Sequence, residues 1–100
     1  MKQFTDKQAI LVARALGDPV RFETYREIAS RREVTAGELH ICDHVSKPTV
    51  SHHLKILVRA GLIEARREGI FIHYHAVAES LTDYCLYVAS VLETMKRAGD

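Results

Sequence analysis

Ser46-Lys47-Pro48-Thr49-Val50-Ser51-His52-His53-Leu54-Lys55-Ile56-Leu57-Val58-Arg59-Ala60-Gly61 is the stretch on which the reading of this chain turns. Ser46 offers a side-chain oxygen to the free N–H groups of a helix start, and Pro48 fits the first turn, where its missing N–H is not needed. The spacing predicts a helix beginning at about Lys47. At roughly 100° per residue, Val50, Leu54, Leu57 and Gly61 share one side, while His52, Lys55 and Arg59 share the other. Thr49 and Ser51 flank the polar side near its N-terminus, and no carboxylate interrupts it. Such a face suits phosphates and base edges. An ordinary amphipathic helix could carry it too, so the neighbouring segments decide.

Downstream, residues 62–76 form two short runs rich in β-branched and aromatic residues around a Glu68-Gly69 turn, with Ile70, Ile72, Tyr74 and Ala76 alternating with Phe71, His73 and His75. That is a β-hairpin with a basic tip at Arg66 and Arg67. A helix with a polar outer face followed directly by a basic hairpin has the form of a winged helix-turn-helix, helix in the major groove and wing along the backbone. In that arrangement Thr49, Ser51 and His52 read bases. Lys47, Lys55 and Arg59 hold phosphates, and Arg66, Arg67 and His73 follow the backbone or minor groove from the wing. His52 and His53 differ in role: His52 points out, whereas His53 lies at the edge of the packed side as a satisfied, semi-buried histidine.

The other segments read as helices around this unit. Residues 6–16 are apolar on more than one side, the pattern of a helix that packs against a second subunit. Asp18 caps a second helix with Pro19 in its first turn and Val20, Phe22, Tyr25 and Ile28 on its buried side. Thr35 caps a third helix with Glu38 three residues on, the capping-box spacing, ending near Asp43 or His44. A last helix over about 77–97 carries Leu81, Tyr84, Cys85, Val88, Val91, Leu92 and Met95 on one face. Residues 1–4 and 98–100 read as loose ends. The expected fold is thus mainly α with a small β-hairpin wing. It has five helices in a single domain over residues 1–100, with the helix-turn-helix at about 35–60 and the wing at about 63–76. A homodimer would form through the first and last helices, by way of Ile10, Leu11, Leu81, Tyr84, Val88, Leu92 and Met95.

Composition agrees. One hundred residues make one domain, small enough that a dimer interface helps to cover its apolar surface. A chain that is 47% apolar and 27% charged is ordinary globular protein, with no run long enough to span a membrane, and residues 1–7 read as too polar for a secretory leader. A cytoplasmic location is expected, with Cys42 and Cys85 as reduced thiols. The net charge of +1 conceals an uneven distribution. Residues 47–75 hold five Lys/Arg against two Asp/Glu, and residues 76–100 hold two against four. Positive charge is placed where phosphates would be met.

Four segments in order, Ala15-Leu16-Gly17-Asp18-Pro19-Val20-Arg21-Phe22, Gly37-Glu38-Leu39, Ser46 through Leu57, and Ala60-Gly61-Leu62-Ile63 running into Arg66-Arg67-Glu68-Gly69, together resemble the ArsR/SmtB-type winged-helix regulators. The resemblance covers residues 14–76. It implies a homodimeric transcriptional repressor that leaves a double-stranded operator when an inducer binds; the effector itself is not named by the sequence. Glu38-Leu39-His40-Ile41-Cys42-Asp43-His44 is similar to the metal box of the family's metal sensors, with His40 in place of its first cysteine. However, Glu38 stands only eight residues before Ser46, closer to the capping serine than that box lies. Counted back from Ser46, the box would fall on Thr35-Ala36-Gly37, which offers no thiol or imidazole. The zinc site of the last helix is matched only by Asp83 and Cys85, since its later positions are Lys96 and Gly99. The thiol pair is left incomplete by Arg26 at its first position.

No metal site or cofactor is therefore assigned. Two alternatives stay open at this level. One is a metal- or thiol-responsive sensor using His40, Cys42 and His44, with His73 or His75, or the pair Cys42 and Cys85. The other is a winged-helix protein-interaction module, which would not need Lys55, Arg59, Arg66 and Arg67 kept unpaired. An enzyme is not expected, because no Gly-rich phosphate loop, HExxH or nucleophile elbow is present.

Overall fold

The computed structural model describes residues 3–99; residues 1, 2 and 100, part of the expected loose ends, lie outside it. Helix α1 (Asp6–Leu16) opens on a reciprocal cap, in which Gln8 N–H donates to Thr5 Oγ1 at 3.2 Å and Thr5 N–H donates to Gln8 Oε1 at 2.7 Å. Just before it, Phe4 packs edge-on against Tyr87 at a ring separation of 5.6 Å, so this residue of the expected loose end is anchored. Helix α2 (Pro19–Ala29) begins where the Asp18 carboxylate accepts Arg21 N–H at 2.9 Å, a bond that holds the Asp18 carboxyl below its usual range. Helix α3 (Lys47–Arg59) begins at the expected residue, with Ser46 as its cap.

The expectation of five helices is corrected here. Four α-helices are present among the described residues, and the third expected helix is replaced by two 3₁₀ turns, Ala36–Glu38 and His40–Asp43. The Thr35–Glu38 box does form, the Glu38 carboxylate accepting Thr35 N–H at 2.7 Å and its hydroxyl at 2.9 Å, yet it closes only one turn. Leu39 breaks the run: it is extended (φ −78°, ψ 139°) and buried in the core. In an α-helix His40 N–H would go back to the Ala36 carbonyl. Instead it donates to the Glu27 carboxylate at 3.0 Å, while Ala36 O accepts Leu39 N–H and the Cys42 thiol.

The wing has a third strand that periodicity did not reveal. Strands β2 (Ile63–Glu68) and β3 (Phe71–Ala76) form the hairpin, and β1 (Val34–Thr35) pairs antiparallel with β3, Val34 opposite Tyr74 and Thr35 opposite His73. The sheet order is β1-β3-β2. Gly69 takes φ +63° at the first position of the two-residue turn, where a II′ geometry admits glycine readily. The tip is not basic but apolar: Ile70 is 88% exposed there, beside Phe71.

Val12, Ala15, Tyr25, Ile28, Val34, Leu39, Val50, Leu54, Leu57, Leu62 and Ile63 form one buried cluster beneath α3 and the sheet. Val20 and Phe22, expected on the buried side of α2, are exposed. The buried row is Thr24, Tyr25 and Ile28, with Arg21 one turn before it. Helix α4 (Ala78–Ala98) contributes no fully buried residue. It projects from the body, which stretches the molecule to 56 × 31 × 22 Å. No helix among the described residues is long and apolar enough to cross a membrane.

Candidate nucleic-acid interface

The interface is built on α3. Its Ser46 cap accepts Thr49 N–H at a long 3.4 Å and shares a hydroxyl contact with Thr49 at 2.9 Å. Thr49 is half-buried and its hydroxyl partly engaged, which leaves it less available than the exposed Ser51 and His52. Val50, His53, Leu54 and Leu57 are sunk into the core. Ser51, His52, Lys55 and Arg59 form an exposed row, with Lys47 exposed in the first turn and no carboxylate anywhere on the helix. From Ser51 to Arg59 the row runs about 12 Å, a length that fits within a major groove.

The two wing arginines part company. Arg66 faces the far side of the sheet, opposite His73, where its guanidinium donates to Glu33 at 2.7 Å and to Glu68 at 2.5 Å. These bonds push the Arg66 pKa up and hold the Glu68 carboxyl down. His73 shares the same acid, its Nδ1 lying 3.4 Å from Glu33. Arg67, one residue on, has its side chain on the opposite face. That is the face of Ala65, which with Tyr74, Lys55 and Arg59 lines the groove between α3 and the hairpin. Among the described residues Lys47, Lys55, Arg59 and Arg67 have no carboxylate partner. Of the four wing and helix cations a DNA binder was expected to keep unpaired, three are; Arg66 is not.

Two contributors escaped the sequence reading. Glu33 gave no local signal, since its partners stand 33 and 40 positions away. Arg21 did give one: it occupies a place on the stripe Arg21, Thr24, Tyr25, Ile28, where an apolar residue is expected. Its Nε donates to Ala15 O at 2.7 Å and one terminal nitrogen to Arg14 O at 3.0 Å, closing the C-terminal end of α1. The other terminal nitrogen lies 3.1 Å from Nδ1 of the buried His53. An arginine can only donate, so Nδ1 accepts and the His53 proton resides on Nε2. Burial, the strongest influence, lowers the His53 pKa from its ordinary value; Asp18 opposes this, and Arg21 and His52 add to it.

The residues of the alternative metal-sensor reading are not assembled. His40 Nδ1 lies 3.2 Å from Glu27, the Cys42 thiol donates to Ala36 O at 2.8 Å, and His44 is exposed. His75 Nε2 lies 3.0 Å from Glu64. Among the described residues no group of three or more His, Cys, Asp or Glu is placed to hold a metal ion, and Cys42 and Cys85 are free thiols. Of the residues expected at a subunit seam, Leu81 and Tyr84 are half-buried against the chain's own core and Leu11 is half-buried. Ile10, Val88, Leu92 and Met95 are exposed.

Residues 16–66 match the helix-turn-helix domain family. The HTH-type transcriptional regulator MJ1325 of Methanocaldococcus jannaschii is 33% identical over 77% of this chain and 86% of its own length. The transcriptional repressor SdpR of Bacillus subtilis is 36% identical over 72% of this chain and 79% of its own. Among solved structures, an ArsR-like transcriptional regulator from Rhodococcus sp. RHA1 superposes with a TM-score of 0.79 at 23% identity, over 92% of this chain and 86% of that one, a likeness of fold.

Proposed function

This chain belongs to the ArsR/SmtB-type family of winged helix-turn-helix transcriptional regulators, sequence-specific DNA-binding proteins, and we propose that it acts as a homodimeric repressor displaced from its operator by an inducer. The observation that carries the DNA-binding half is the acid-free exposed row on α3 continuing into Arg67. Ser51 and His52 read base edges, with Thr49 in a lesser share. Lys47, Lys55 and Arg59 hold phosphates on either side of the groove, and Arg67 follows the backbone from the wing. Arg66 and His73 serve the wing's shape first, through Glu33.

Dimerisation rests on α4. Every residue from 88 to 99 is exposed, and Val88, Val91, Leu92 and Met95 form one apolar stripe along that stretch. A helix end without tertiary contacts is marginal in water, and a contiguous apolar stripe calls for cover. A second α4 crossing the first, with Ile10 of the neighbouring α1 at its margin, covers it and presents two α3 helices to successive major grooves. The expected consequence is binding to a two-half-site duplex that weakens linearly in log affinity against log salt. Fluorescence anisotropy with the duplex selected by the protein from a randomised library, and with a scrambled duplex, tests this across a potassium chloride series. Equal affinity for both duplexes would defeat it.

A further inference from the structure

The most constrained polar group outside the DNA-facing row is the Arg21 guanidinium. It belongs to α2, closes α1 through Ala15 O and Arg14 O, and reaches Nδ1 of His53 on the inner side of α3. One planar group thus ties the end of a candidate dimer helix to the candidate recognition helix. Its own backbone N–H is held by Asp18, so the base of the clip is fixed as well. His52 and His53 are adjacent on α3, one exposed and one buried, so a roll of the helix that moves His53 also moves the base-reading row.

We propose that Arg21 and His53 are positioning residues that set the roll of the recognition helix relative to α1, and that the clip opens when His53 takes up a proton. The proposal rests on the reading of α3 as the DNA-reading helix. The hydrogen bond needs an unprotonated Nδ1; a doubly protonated ring turns an N–H toward the guanidinium and sets two cations face to face. The charged and titratable groups around that ring are Asp18 and Arg21, from the start of α2, and His52 on α3, while α1 presents backbone carbonyls to the clip. Asp18 favours the added proton, and Arg21 and His52 oppose it. Opening therefore belongs to the acid side of the ordinary imidazole value of 6.5. Any other group that gains a proton, the base-reading His52 included, does so in wild type and in a His53 variant alike, so the sign to look for is a difference between their selectivity profiles, not total affinity.

The test measures the ratio of affinities for the selected duplex and its scrambled counterpart, by fluorescence anisotropy, for wild type, Arg21→Met and His53→Asn. Asparagine places an amide oxygen where Nδ1 stands and does not titrate. Near neutral pH, Arg21→Met should lose selectivity on the order of tenfold with the salt slope unchanged, while His53→Asn keeps it. As pH falls below 6.5, wild type should lose selectivity more steeply than His53→Asn. If Arg21→Met loses its helical circular dichroism, the comparison of the wild-type and His53→Asn pH profiles decides alone. Superimposable pH profiles, or an Arg21→Met protein as selective as wild type, would overturn the clip. A wild-type protein that does not discriminate the two duplexes would instead overturn the DNA-reading assignment of α3, and the clip with it.

Discussion

Helices α3 and α4 both carry an apolar stripe beside a polar one, and only α3 spends its stripe inside the chain. Val50, Leu54 and Leu57 are buried, so the outer face of α3 is left to polar side chains apart from the exposed Pro48 and Val58. On α4 nothing is fully buried, and Leu92 remains 52% exposed. The first turns of α4 pack on the body through Leu81 and Tyr84, but the body closes on itself without residues 88–98, whose stripe is left uncovered by the chain. A similar contrast holds between adjacent residues of the wing. Arg66 is occupied by two carboxylates and Arg67 by none, because strand alternation turns them to opposite faces.

The first contrast breaks most readily in the core. Leu57→Ala empties a fully buried position and should cost about 2–5 kcal/mol in urea denaturation, whereas Val91→Ala, examined at concentrations where the chain is monomeric, should stay within about 0.5 kcal/mol. Comparable losses for the two would mean that the Val88–Met95 stripe of α4 packs within the chain. The wing contrast comes next in size. Arg67→Ala should weaken operator binding on the order of tenfold and reduce the salt slope by about 1, measured by anisotropy across salt concentrations. Arg66→Ala should do less, since a phosphate must first displace Glu33 and Glu68. Equal effects would show that the carboxylates release Arg66 on DNA. The smallest effect is at the cap: Ser46→Ala should cost about 1 kcal/mol in the same denaturation series, without altering which duplex is preferred.

What the sequence made legible was governed by neighbours. The start of α3 at Lys47 follows from Ser46 and Pro48, and the hairpin follows from alternation around Gly69; both are local. The third helix failed because its cap was local but its continuation was not. Leu39 is drawn into the core and Glu27, thirteen positions earlier, takes the His40 N–H. Strand β1 is only two residues long and exists through its pairing with Tyr74 and His73. The same limit applies at the site. The exposed row of α3 was readable from periodicity, whereas the pairing of Arg66 with Glu33 and the reach of Arg21 to His53 depend on partners more than thirty positions apart.

Sedimentation equilibrium of wild type beside Leu92→Glu tests most directly whether a second copy of the chain covers α4. Expected is a dimer for wild type and a monomer for Leu92→Glu with its circular dichroism otherwise preserved, because the glutamate charge enters the seam and not the chain's own core. A wild-type monomer at operator-binding concentrations, or a Leu92→Glu protein that remains a dimer, would contradict it.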